Sequence, residues 1–185
     1  MFIAPFRVLL DANVLYPFSL RDTLLRAARA GFYQLYWTDD VLDEACRNLV
    51  NDGRMNREQA MKLREAMTRA FPESMVVDYA SLIPAMRNDP KDWHVAAAAV
   101  RCGAQVIVTT NLRDFTPMPD GIEAQSPDDF LCDLFDLNPK LLLDIVLEQA
   151  AALKNPPLTF EELLRGLARF VPDFAQCVLG LHKAE

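Results

Sequence analysis

Four acidic side chains stand where an α/β protein could bring them together: Asp11, Glu44, Asp92 and Asp114. The first ends an apolar run at residues 8–10, and the last follows an apolar run at 106–108. Carboxylates that meet repel one another unless cations lie among them, and Mg²⁺ and Mn²⁺ are hard cations that prefer oxygen ligands. Such a site suits phosphate-ester hydrolysis, because the metal activates water and stabilises charge on the attacking and leaving oxygens.

Each acid also has a purely structural explanation. Asp11 could complement a helix dipole or occupy a turn, and Asp114 could cap a turn. Glu44 could be an ordinary solvated helix residue, because three aspartates at 39, 40 and 43 precede it and periodicity does not select among them. The case for chemistry therefore rests on the four acids together.

Asp92 has the strongest structural alternative. It would occupy the third position of a helix that begins after Asp89, where a carboxylate satisfies backbone N–H groups and the dipole. His94 fits helix packing better than metal binding, because no second His and no Cys stands near it.

The elements that must position these acids alternate between strand and helix. Strands are predicted at 7–10, 33–37, 75–78, 106–109 and 121–124, and helices at 19–31, 38–51, 56–71 and 89–103. This order indicates an α/β fold with a central parallel sheet of about five strands. Ligands bind beyond the carboxyl ends of such strands, where the intervening helices also begin. All four acids are expected to converge at that edge.

The chain changes character near Pro127, because no convincing strand follows. Asn138 with Pro139 opens an amphipathic helix, Thr159 with Glu162 forms a capping box for the next, and a last short helix follows Pro172. We predict two parts: an α/β domain at 1–126 and a helical extension at 127–185, folded against that domain or against a partner.

Composition narrows the classes of function. The 185 residues carry a formal net charge of −7, so the strongly basic surface of a tight non-specific DNA binder is not expected. A nuclease stays possible, because clustered acids in an active site make the net charge more negative and bound metal ions make the local potential positive.

Cysteines and hydropathy indicate the compartment. The four cysteines lie far apart in the chain, so buried reduced thiols are predicted rather than zinc ligands or disulfides. No signal peptide and no run of about 20 apolar residues is recognisable. We therefore expect a soluble cytoplasmic protein without a membrane segment.

Four segments, in order, resemble the acidic blocks of the PIN domain family: VLLDANVLY, WTDDVLDE, DPKDWHVAAA and VTTNLRDF. The resemblance covers roughly the first 130 residues. The third block is similar to the VapC-like branch, the toxins of toxin–antitoxin systems, and the helical tail is similar to the extension that some members of that branch carry.

The resemblance implies a three-layer fold and a Mg²⁺- or Mn²⁺-dependent endoribonuclease. Asp11, Glu44, Asp92 and Asp114 would hold the metal and position the attacking water. The implied substrate is RNA, cut at single-stranded or loop positions. The implied partners are a cognate antitoxin protein that inserts into the active-site groove and a second copy of the chain in a homodimer.

Some residues near the blocks need a separate interpretation. Asn111 stands where many members of the family carry another acid, which predicts a weak second metal site. Asp89 could cap a helix, coordinate a metal or do both, and Asn13 is expected to orient Asp11 by a hydrogen bond. Local basic patches would have to hold RNA, and the candidates are Arg21, Arg26 and Arg29, or Arg54, Arg57, Lys62 and Arg64.

Three other functions stay open. A haloacid-dehalogenase-type phosphatase also begins with an aspartate that ends its first strand, but it needs an aspartate where this chain has Asn13. A PIN-like fold without activity could serve as a module that binds RNA or protein. The helical extension could itself be the functional part and the α/β domain its scaffold.

Overall fold

A computed structural model of the protein describes residues 6–184, and within them a parallel sheet of four strands forms the centre. The strands are β1 (Arg7–Leu10), β2 (Gln34–Tyr36), β3 (Val106–Val108) and β4 (Glu123–Gln125), in the order β2-β1-β3-β4. The register places Leu9 opposite Tyr36 on one side and Ile107 on the other. β1 and β3 are almost wholly apolar because helices cover both faces of a parallel sheet.

The predicted count of five strands is wrong by one. Residues 75–78 contribute only a single parallel bridge, from Met75 to Trp37. The backbone leaves extended geometry at Asp78, where φ is +59°, and the Val77 side chain is 58 % exposed. The three apolar residues at 75–77 resembled a strand in the sequence, but the chain turns away from the sheet after the bridge at Met75.

Five helices belong to the α/β part of the chain: α1 (Ala12–Leu15), α2 (Phe18–Arg29), α3 (Asp39–Asn51), α4 (Arg57–Ala70) and α5 (Trp93–Cys102). Local signals explain several of their ends. The Thr38 hydroxyl accepts a hydrogen bond from Val41 N at 3.1 Å, and Gly103 ends α5 in a left-handed conformation with φ of +66°.

Two predicted helix starts differ from the structure. Ser19, with Asp22 three residues later, has the sequence pattern of a capping box, but α2 begins at Phe18 after Pro17, without a side-chain cap. Asp89 does cap the following turn, but residues Pro90–Asp92 form a 3-10 turn and α5 begins only at Trp93. Asp92 therefore precedes the α-helix rather than lying inside it.

Four further helices follow the sheet: α6 (Pro127–Leu137), α7 (Pro139–Ala152), α8 (Phe160–Leu167) and α9 (Pro172–Ala184). The capping box predicted at Thr159 and Glu162 is present. The Asp128 carboxylate, on α6, accepts hydrogen bonds from Asp173 N and Phe174 N at 3.1 and 2.9 Å and so caps α9 from outside.

These helices share one hydrophobic core with the sheet. The Phe130 ring of α6 packs edge-on against Tyr33 beside β2, with 5.1 Å between ring centroids. Gln149 of α7 is fully buried; its Oε1 accepts from Thr23 Oγ1 at 2.7 Å and its Nε2 donates to Ser19 O at 3.0 Å. The extension therefore folds against the α/β part, and the division at residue 126 stays a prediction.

The structure also tests the predictions about membrane segments and cysteines. Within residues 6–184, each helix is too short or too polar to cross a lipid bilayer. All four cysteines are free, as predicted, but the expected burial is wrong: three are half-buried and Cys177 is exposed.

Candidate active site

Asp11 leaves the centre of the sheet with its backbone and side chain both fixed. Its N–H donates to Val108 O at 3.1 Å, which continues the pairing of β1 with β3 by one residue. Its Oδ1 accepts from Ala12 N at 2.7 Å and so caps the short helix α1. The residue is only 5 % exposed. Asp11 thus has a structural role and stands at the carboxyl edge of the sheet.

A polar network fixes the second oxygen of Asp11. Thr109 Oγ1 donates to Oδ2 at 2.7 Å, and Asn13 Nδ2 donates to the same oxygen at 2.6 Å. Asn13 Oδ1 in turn accepts from Thr110 N at 3.0 Å. Burial raises the pKa of Asp11, and the charge of Glu44 adds to that rise, while the hydrogen bonds from Thr109 and Ala12 oppose it.

Asp92 is a half-buried carboxylate at the start of α5. Its side chain makes no capping hydrogen bond, and its Oδ2 is buried without a hydrogen-bond partner. Burial raises the pKa of Asp92 to about 6, and the nearby charges of Asp11 and Asp114 also raise it, while Lys91 acts in the opposite sense. The capping role that the sequence allowed for Asp92 is therefore absent.

Asp114 lies in the 3-10 turn Leu112–Phe115 and connects two loops. Its carbonyl accepts from Asp89 N at 2.9 Å, which ties the turn after β3 to the loop before α5. Its carboxylate Oδ2 lies 2.7 Å from Lys91 Nζ. The loops that carry Asp92 and Asp114 are thus joined through both backbone and side chains.

Glu44 is distinguished from the other acids of α3 by what surrounds them. Asp39 and Asp43 pair with Arg64 at 2.6 and 3.3 Å, and Asp40 accepts from Tyr79 Oη at 2.6 Å. Glu44 is half-buried in the second turn of α3, and its charge acts on Asp11. Of the four acids at 39, 40, 43 and 44, Glu44 is thus the one whose charge acts on Asp11.

The acids interact electrostatically without forming a ready-made chelate. In the part of the chain that the structure describes, no three or more His, Cys, Asp and Glu side chains are arranged so that they could hold a metal ion as they stand. Lys91 Nζ contacts Oδ2 of Asp114, and both oxygens of Asp11 accept hydrogen bonds.

Two pockets bear on the site. One of about 310 Å³ is formed by residues 110–114 and so includes Asp114. A larger one of about 440 Å³ lies between α2 and α7, and none of the four acids lines it. The larger of these two pockets is therefore not the one that contains a predicted site residue.

Comparison with known proteins places the chain in a family. Residues 7–113 match the profile of the PIN domain. The chain belongs to the PIN domain family. Residues 127–179 of this PIN domain protein match the profile named VapC50 C-terminal domain.

One relative of this PIN domain protein has a name that states an activity. The chain is 47 % identical over 100 residues to the "Putative ribonuclease VapC50" of Mycobacterium tuberculosis (strain ATCC 25618 / H37Rv). The matched region is 52 % of this chain and 59 % of the relative, so it spans less than two thirds of that protein.

Two residues of this PIN domain's site were missed in the sequence. Thr109 is a fully buried hydroxyl that holds Asp11, and the parallel pairing of Leu10 with Val108 is what sets the two side by side. Lys91 lies within the DPKD segment, between two acids, and that position was the available signal. Asn13 makes the hydrogen bond to Asp11 that the sequence predicted.

The basic patches proposed for RNA need correction. Arg21 is buried, and its Nη1 donates to Leu15 O at 2.6 Å, so it supports α1 instead of facing solvent. Arg26 pairs with Asp22 at 3.0 Å, and Arg64 pairs with the acids of α3. Pairing with carboxylates removes much of the positive field that RNA would need.

Proposed function

We propose that this PIN domain protein is a divalent-metal-dependent endoribonuclease, the toxin component of a toxin–antitoxin system. The observation that carries the proposal is the Asp92 carboxylate, which is placed beside the charges of Asp11 and Asp114 with one buried oxygen that lacks any partner. A folded protein rarely keeps such an oxygen unless a ligand satisfies it. The name of the relative, a ribonuclease, agrees with this.

The donor set fits a hard divalent cation. Carboxylate oxygens are the ligands that Mg²⁺ and Mn²⁺ prefer, and a cation offsets the repulsion and burial that raise the pKa of Asp92. We propose that Asp11, Asp92 and Asp114 hold the ion with Glu44 completing the site. Asp114 must then exchange its contact with Lys91 for the ion.

When bound, the ion would supply a more acidic water and stabilise charge on the phosphate oxygens during hydrolysis. The protein residues would supply position. Thr109 and Asn13 fix the Asp11 carboxylate before any substrate arrives, so no reorganisation of that group is needed. Asp92 and Glu44 offer oxygens that can accept hydrogen bonds from the attacking water and hold it in line with the phosphate.

The proposal extends to the partners. The substrate would be RNA, and a cognate antitoxin protein would silence the enzyme by occupying the acidic edge of the sheet. A homodimer is also proposed. These partners rest on the similarity to the VapC-like branch and on the VapC50 C-terminal domain match at 127–179.

A catalytically inactive PIN-like module is the second candidate. The observation in its favour is that, among residues 6–184, no three His, Cys, Asp or Glu side chains are already arranged to bind a metal ion. The phosphatase alternative is weaker, because Asn13 donates to Asp11 Oδ2 and an aspartate could not make that bond in its charged form.

The first prediction concerns cleavage. The full chain with Mn²⁺ should cut a mixed-sequence structured RNA, and EDTA should stop it. Asp11→Asn and Asp92→Asn should each lower kcat/KM by at least about a hundredfold, because each removes a charged ligand. Asp136→Asn, an exposed acid on α6, is the matched control and should cleave like the wild type. Equal cleavage by all four proteins would contradict the proposal.

A second prediction concerns metal binding in the absence of RNA. Mn²⁺ should stabilise the folded state by about 2–3 kcal/mol at a hundred times its Kd, because it binds only the assembled site. That corresponds to a rise of about 5–10 °C in Tm for a chain of this size. A thermal melt of the wild type with and without millimolar Mn²⁺ measures it. A Tm that does not move would favour the inactive module.

A further inference from the structure

Lys91 places a positive charge inside the candidate site. Its ammonium lies 2.7 Å from Asp114 Oδ2, and the charges of Asp89 and Asp92 also act on it. Its side chain is 61 % exposed, whereas that of Asp114 is only 25 % exposed. The lysine therefore reaches from solvent onto a carboxylate that is proposed to bind metal.

The backbone of Lys91 is held by hydrogen bonds, whereas its ammonium is held only by the exposed ion pair with Asp114. Its N–H donates to Asp89 Oδ1 at 3.1 Å, and its carbonyl oxygen lies 3.0 Å from His94 Nδ1. Four methylene groups with rotatable bonds separate this fixed point from the charge. An exposed lysine–carboxylate pair is weak in water, because solvent screens it and side-chain entropy opposes it. A divalent ion can therefore displace the ammonium.

We infer that Lys91 is a built-in counter-cation that competes with the divalent ion for Asp114 and, once displaced, contacts a phosphate of the RNA. This inference rests on the proposed function. Asp114 Oδ2 cannot serve both cations fully, so metal binding moves the ammonium off the acid. The released charge stays tethered at the rim of the site, where a lysine binds phosphate without a fixed geometry.

The two roles predict changes of opposite sign in Lys91→Gln. Loss of the competing charge should tighten Mn²⁺ binding by about three- to tenfold, because the acids keep their full negative potential. Loss of the phosphate contact should raise KM for RNA by a similar factor and reduce the salt slope of binding by about 1. If Lys91 only supported the fold, Lys91→Gln would weaken both Mn²⁺ binding and RNA binding.

The experiment titrates MnCl₂ into the metal-free full chain and follows free Mn²⁺ by electron paramagnetic resonance. Lys183→Gln is the matched control, because Lys183 is an exposed lysine in the last turn of α9 and belongs to neither proposed RNA patch. It should leave Mn²⁺ affinity unchanged. Lys91→Arg keeps the charge and should match the wild type within about twofold in Mn²⁺ affinity. The KM of a mixed-sequence single-stranded RNA is then measured at saturating Mn²⁺.

The outcomes separate this inference from the proposed function. Mn²⁺ binding by the wild type, with equal or weaker binding by Lys91→Gln, would overturn the competition and leave the nuclease proposal intact. An unchanged KM in Lys91→Gln would overturn the phosphate contact. No Mn²⁺ binding by the wild type would overturn both the inference and the proposed metal site.

Discussion

Asp92 is a proposed metal ligand whose burial opposes folding when its carboxylate is charged. Its carboxylate is half-buried and its Oδ2 lacks a partner, so the folded protein disfavours the charged form and the pKa rises from 3.8 to about 6. The unfolded chain loses this proton more easily than the folded chain. The protonated Asp92 carboxyl therefore makes its full contribution to the free energy of unfolding below about pH 4, and this contribution is lost as pH rises through about 6.

The third prediction follows from this loss of stability with rising pH. In metal-free protein, Asp92→Asn should gain stability relative to the wild type as pH rises from 4 to 7.5, by about 1–2 kcal/mol after allowance for partial exposure. Urea unfolding at several pH values measures the difference between the two proteins. Asp136→Asn should show no such trend. A constant difference for Asp92→Asn would contradict the assigned pKa.

At the scale of elements, the end of β3 positions the first acid. Parallel pairing continues from Leu10 opposite Val108, so the next residues, Asp11 and Thr109, lie side by side. The Thr109 hydroxyl donates to Asp11 and accepts from Asn111 N at 3.1 Å. The strand end thus determines both the orientation of Asp11 and the path of the loop that carries Asp114.

The fourth prediction tests this element. Thr109→Val keeps the side-chain shape but removes the hydroxyl from a fully buried position. The free energy of unfolding should fall by about 1–3 kcal/mol, because the Asn111 amide and Asp11 lose a partner. RNA cleavage should fall by about 10–100-fold in kcat/KM. The neighbouring Thr110→Val changes an exposed side chain and should behave like the wild type; equal loss in both variants would contradict a specific role for Thr109.

Sequence patterns predicted the elements whose signals are local. The apolar runs of β1 and β3, the caps at Thr38 and Thr159, and the stop at Gly103 all depend on neighbouring residues in the chain. The single bridge at Met75 was not predictable, because a short apolar run has the same sequence pattern whether or not the backbone then leaves the sheet. The four acids could be proposed from their places at strand and helix ends, whereas the Lys91 contact depends on side-chain conformation.

At the scale of the whole molecule, the helical extension completes the core. Phe130 packs against Tyr33, and Gln149 joins α7 to α2 through Thr23 and Ser19. The sequence left two partners possible for the apolar faces of these helices, this domain or another protein. Only the folded arrangement shows that the α/β part itself covers them.

The fifth prediction concerns that junction. Gln149→Ala should lower the free energy of unfolding by about 2–3 kcal/mol, because it leaves a cavity and removes two buried hydrogen bonds. Thermal melting measures the loss, which should leave Mn²⁺ affinity below the Tm unchanged. Gln176→Ala, at an exposed position of α9, is the control. A wild-type Tm for Gln149→Ala would show that the junction contributes little.

The order of the strands also determines when the proposed site can form during synthesis. β1 is made first but lies between β2 and β3. The Asp11 N–H meets Val108 O, and its Oδ2 meets the Thr109 hydroxyl, only after almost a hundred further residues have been made. α2 gains its partner Gln149 later still. A nascent chain on the ribosome therefore carries Asp11 long before it can hold that carboxylate in place, and the proposed site can assemble only when most of the protein has been made.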